Sequence, residues 1–106
     1  MKYEMLDKLL EEKRAVFENI SDRIWEFAET RFQEKQSAGL QMETLRTEGF
    51  DIEEGIGGIE TAFCSKFGSG HPVIGILGEY DALPGMSQKA DVTEKMPEKE
   101  GAPGHG

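Results

Sequence analysis

Cysteine is almost missing from this chain of 106 residues. Cys64 is the single one, so no internal disulfide can form and the composition suits a reducing compartment. Basic charge is scarce too: 12 Lys and Arg stand against 21 Asp and Glu, a formal net charge of −9. Such a chain repels phosphate backbones and anionic lipid, which sets nucleic acid and membrane surfaces aside as partners. Long apolar runs are absent. The longest, Val73 to Leu77, has Gly75 inside it and falls far short of the roughly 20 residues that cross a bilayer. The opening Met1-Lys2-Tyr3-Glu4 leads into mixed charged and apolar residues, not a leader's unbroken apolar stretch, so a cytoplasmic location is expected. No repeat is visible in the sequence.

What is present suits a folded unit. Hydrophobic residues make up 37% beside 13 glycines, which does not point to disorder, and the length fits one small domain or part of a larger one, with a modest core. No Pro or Gly interrupts the chain before Gly39, and Leu6, Leu9, Leu10, Val16, Phe17, Ile20, Ile24, Phe27 and Ala28 recur at steps of three and four, with a polar gap at Lys13. That spacing predicts helix, either one long helix or two divided by an N-cap at Ser21-Asp22. Thr30 to Lys35 reads as a turn. A second helix is expected from about Gln36 to Glu48, with Ala38, Met42 and Leu45 on one face and Gly49 as its stop. Gly39 inside it costs about 1 kcal/mol relative to Ala.

From Phe50 the pattern changes. Phe50 to Glu53 alternates as a half-buried strand does, Gly55-Ile56-Gly57-Gly58 reads as a turn, and Thr61 to Phe67 as a second strand with Phe63 and Phe67 on one face. Gly68-Ser69-Gly70-His71 has hairpin-loop chemistry, and Pro72 opens a third strand, Val73 to Leu77. That run is apolar on both faces, which predicts an interior strand. Residues 1–86 are therefore expected to form a structured segment and residues 87–106, with Pro97, Pro103 and alternating charges, a flexible loop or tail. The order helix, helix, strand, strand, strand fits a compact α+β unit or the first layer of a larger α/β domain.

Few residues invite chemistry. Gly55-Ile56-Gly57 lacks the third glycine of a dinucleotide loop, since Glu60 stands there, and a strand follows where a helix is required. Cys64 lies mid-strand and reads as a buried structural thiol. His71 reads as a solvated loop histidine, with no second ligand at metal spacing. Glu79-Tyr80-Asp81 follows the apolar run directly, at the strand end where open α/β sheets place their ligands. On a strand both carboxylates would face one way. They could then bind a cation, orient a histidine or share a proton, against the plain alternative of a solvated strand end. His105, by chemistry alone, is a solvated residue.

Taken together, Ile24 to Phe32, the stretches Thr61-Ala62-Phe63 and Phe67 to Gly75, and Gly78 to Gly85 resemble the zinc aminoacylase/carboxypeptidase superfamily of amidohydrolases. Pro103-Gly104-His105-Gly106 narrows the resemblance to its aminobenzoyl-glutamate hydrolase branch, where such a run is followed at once by Cys-Gly-His. The resemblance covers most of this chain and implies the N-terminal segment of the α/β catalytic domain of a two-domain enzyme, the second domain being a lid.

The resemblance further implies hydrolysis of N-acyl amino acids, short peptides or aminobenzoyl-glutamate-like substrates. Two zinc or manganese ions would activate a water and polarise the scissile carbonyl, and a glutamate would act as general base. It places Asp81 where relatives orient a metal-bound histidine, Glu79 where many carry a histidine ligand and this branch often an acid, and His105 just before the ligands without being one. The ligands and the base have no counterpart in these residues, so no metal is expected in this chain and, on its own, no hydrolysis. The other reading is a binding fragment that associates with itself or with a complementary chain through its unpaired apolar strand.

Overall fold

The computed structural model describes residues 3–106; Met1 and Lys2, where the reading of the chain's start and of its first segment begins, lie outside them. Helix α1 runs unbroken from Glu4 to Phe27. Ser21 and Asp22 pass through it without a cap, which decides for one helix over two. Its sequence is rich in helix-forming Leu, Glu, Lys and Arg, and Arg14 reaches both Glu11 and Glu18 across single turns. The helix ends where Ala28 turns left-handed, at φ 45°, and donates its amide to the Ile24 carbonyl at 3.2 Å.

Helix α2, Lys35–Thr47, turns back against α1 and buries Ser37, Ala38 and Met42, while Leu45 is half-buried. Lys13, the polar gap in the apolar stripe of α1, pairs with Glu48 just past the end of α2. Gly49 stops α2 as expected. It sits at φ 93°, its amide donates to the Arg46 carbonyl at 3.0 Å, and the Phe50 amide donates to Leu45.

Strands β1, Asp51–Glu54, and β2, Phe63–Lys66, form a two-stranded antiparallel sheet in the register Asp51↔Lys66 to Glu54↔Phe63. The connecting segment holds a short 3-10 turn at Ile56–Gly58, as the glycine run predicts. Phe63 and Phe67 part company: Phe63 meets Tyr80, and Phe67, just past β2, meets Phe50. The architecture is α+β.

The third strand is not formed. Residues 73–77 belong to no helix or strand, and no backbone group in them has a backbone partner among the described residues. Val73 and Ile74 are each 82% exposed, Ile76 95% and Leu77 90%. Likewise, Gly68 to His71 joins no hairpin. An apolar pattern reports the surroundings a strand requires; here β2 is paired to β1 and no strand among the described residues flanks residues 73–77.

The modest core is smaller still. The buried hydrophobic residues are Ala38, Met42 and Ala82, while Leu6, Leu9, Leu10 and Phe17 on α1 lie open. The radius of gyration is 16.3 Å, against about 13 Å for a compact domain of this length. No helix among the described residues is long and apolar enough to cross a membrane.

Residues 87–106 hold no helix or strand, yet they fold back on the body of the chain. Leu83 and Gly104 exchange backbone hydrogen bonds of 2.8 and 3.1 Å, and the Ser87 and Gly106 amides donate to the Ala102 and Met86 carbonyls. The Gln88 side chain holds the turn between, accepting from the Met96 amide and donating to the Glu94 carbonyl.

Candidate functional site

The polar groups concentrate where the end of α1, the start of α2 and residues 80–82 meet. Glu29 caps α2 from outside the helix. Its carboxylate accepts from the amides of Gln36 at 3.0 Å and Ser37 at 2.7 Å and from the Ser37 hydroxyl at 2.8 Å. Those amides are orphan donors of the first turn, and the negative charge lies at the positive end of the helix dipole. Partial burial pushes the Glu29 carboxyl up, but the hydrogen bonds from Gln36 and Ser37 outweigh it and hold the group below the ordinary range.

Glu34 lies one residue before α2 and is buried. Its carboxylate accepts from the Phe32 amide at 2.9 Å and from the buried Thr61 hydroxyl at 2.6 Å. The Tyr80 hydroxyl donates to the Thr61 carbonyl. Burial pushes the Tyr80 phenol up, and the Glu34 and Glu29 carboxylates add to it. The Ala82 amide donates to the Glu29 carbonyl at 2.7 Å, closing a parallel bridge between Thr30 and Ala82. Residues 80 and 82 are thus fixed on either side of Asp81.

Asp81 itself is half-buried and lines an open cavity of about 440 Å³ with Thr30, Arg31, Ala82, Leu83 and Pro84. Glu79 is exposed and is not part of that lining. His105 is half-buried beside the end of α1. Its Nε2 lies 3.2 Å from the Ile24 carbonyl, and the ring centre is 6.1 Å from that of Trp25. His71 is exposed, as a loop histidine should be. Cys64, expected to be buried, is half-buried, opposite Glu53 in the sheet.

These positions do not assemble a metal centre. Among the described residues no three His, Cys, Asp or Glu side chains converge on a point that could hold an ion. A hydrolytic metal site needs several converging ligands, so the residues present do not fit one.

No family model and no solved structure matches the chain. One curated relative does. The chain is similar to a subunit of the p-aminobenzoyl-glutamate hydrolase of Escherichia coli (strain K12). The two are 41% identical over 104 residues, which is 98% of this chain and 22% of the relative. The chain therefore spans about a fifth of that hydrolase subunit. The similarity falls on the aminobenzoyl-glutamate hydrolase branch to which the motifs point.

The stretch Ile24 to Phe32, which carried part of the resemblance, contains Glu29, but its capping role and that of Glu34 were not legible. A local N-cap signal pairs residues three apart, whereas Glu29 reaches α2 from seven and eight residues away and Glu34 reaches Thr61 across 27.

One consequence is a pH dependence. A carboxyl held below its unfolded value of about 4.5 contributes stability that is fully present above that pH and is lost as pH falls through the folded value. Glu29→Gln should therefore be less stable than the parent at pH 7, and the gap should close below about 4.5. Urea unfolding of both proteins between pH 7 and pH 3 reads this directly. A gap that stays constant would mean that Glu29 acts by packing and not by charge.

Proposed function

We propose that this chain is a segment of a metal-dependent amidohydrolase that cleaves aminobenzoyl-glutamate-like amides, and that it supplies structural support to an active site whose ligands come from outside these 106 residues. The observation that carries the reading is the match along 98% of this chain to a hydrolase subunit of which it covers 22%. The cavity beside Asp81 and the fixed backbone around it give the segment a defined surface to contribute. Asp81 would orient a ligand in the completed site, and Glu79 and His105 would stand near it. By itself the chain hydrolyses nothing.

The test uses the 106-residue chain and a polypeptide made from the Escherichia coli hydrolase subunit without its matched stretch, with zinc or manganese supplied. The mixture should hydrolyse p-aminobenzoyl-glutamate, and Asp81→Ala in the chain should lower the rate about 10- to 100-fold, the usual cost of losing a residue that orients a ligand. Metal-dependent turnover by the chain alone that disappears in Asp81→Ala would refute the proposal.

A further inference from the structure

Residues 73–77 combine two properties that rarely coexist on a finished surface. They are apolar on both faces, Val73 and Leu77 on one and Ile74 and Ile76 on the other, and every one of these four side chains is at least 82% exposed. Their backbone also has no backbone partner on either edge among the described residues. A strand of that kind invites pairing on both sides and cover above and below.

The molecule as a whole shows the same deficit. Its accessible surface is 8655 Å², whereas a folded monomer of this mass exposes about 5,900 Å². The excess, roughly 2,700 Å² on this one chain, matches one side of the largest obligate interfaces, which bury about 5,000 Å² or more over both partners. A second copy cannot supply the remedy. Pairing residues 73–77 of two chains satisfies one edge of each and leaves the other edge and both faces open. What fits is a larger body that brings a strand to each edge.

We infer that residues 73–77 are the docking strand of this chain, and that their occupant is the remainder of a hydrolase subunit like the Escherichia coli relative, the four-fifths of that relative's length which this chain does not span. This rests on the proposed function for the identity of the partner. The strand inserts between two strands of that body, Ile74 and Ile76 meet one covering layer, and Val73 and Leu77 meet the other. The free chain already presents these four side chains to solvent.

The experiment mixes the 106-residue chain with the Escherichia coli hydrolase subunit lacking its matched stretch. Size-exclusion chromatography with light scattering should show a 1:1 complex. Amide hydrogen exchange at residues 73–77 should slow at least about 100-fold on binding. Ile74→Lys with Ile76→Lys should weaken the complex by about 100-fold, because two ammonium groups would be buried without partners. The same variant should leave the circular dichroism of the free chain unchanged, since both side chains stand in solvent. A complex in which residues 73–77 still exchange freely overturns the inference, as does no complex, or a self-associated chain with these amides protected. A complex with protection but no hydrolysis leaves the docking strand standing and refutes the proposed function instead.

Discussion

Replacing Gly104 by alanine should detach the closing loop from the rest of the chain. Gly104 is buried, and a Cβ there would lie 2.4 Å from the Met86 carbonyl oxygen, 2.6 Å from the Ser87 Cα and 2.8 Å from the Met86 carbonyl carbon. All three are backbone atoms, so no side chain can swing aside. The two segments must separate, and with them go the paired hydrogen bonds between Leu83 and Gly104 and the Gly106 amide's bond to Met86. His105 then loses its hold on the Ile24 carbonyl. Overpacking of this kind costs about 1–3 kcal/mol. Amide exchange at Leu83, Gly104 and Gly106 should accelerate about 10- to 100-fold while the amides of α2 stay protected. Gly39→Ala is the control of opposite sign: Gly39 is helical with nothing within 4 Å of the added Cβ, so it should stabilise α2 by roughly 0.5–1 kcal/mol. Unchanged exchange in Gly104→Ala would mean that the loop does not pack as described.

Loss of the Glu34 carboxylate should be the other large effect. Glu34→Ala strands a buried Thr61 hydroxyl and the Phe32 amide. Phe32 sits at φ 64°, a left-handed conformation that a bulky residue adopts only when held there. Two unsatisfied groups and a released turn together should cost about 3 kcal/mol. Glu34→Gln keeps an acceptor for one donor and should cost about 1 kcal/mol. Urea unfolding monitored by circular dichroism measures both. The Tyr80 phenol offers a second readout, because Glu34 is one of the groups that raise its pKa. Ultraviolet titration of Glu34→Ala should place Tyr80 closer to the ordinary value. Equal costs for the alanine and glutamine variants would contradict this account of Glu34.

The helices were legible because their signals are local. Three-and-four spacing gives α1, and a glycine after the last apolar residue gives the end of α2. The hairpin strands were legible to within a few residues for the same reason. Residues 73–77 were read correctly for character and incorrectly for state: the pattern Val-Ile-Gly-Ile-Leu states what should surround it, and these 106 residues do not provide it. The closing loop was legible as a loop, but not its attachment, which depends on Gly104 meeting Met86 across 18 positions. At the candidate site, the strand-end motif drew attention to Asp81. The buried carboxylate of Glu34 and the helix-capping role of Glu29 were hidden, because each partners a group that only the folded chain brings near.

The proposed function makes this chain one part of a hydrolase, inert without the rest. The most direct measurement is the release of glutamate from p-aminobenzoyl-glutamate, with zinc or manganese present, by three samples: this chain, the Escherichia coli hydrolase subunit lacking the matched stretch, and their mixture. Turnover is expected in the mixture alone. Turnover by the isolated chain, or an inert mixture under conditions where the intact Escherichia coli subunit is active, would contradict the proposed function.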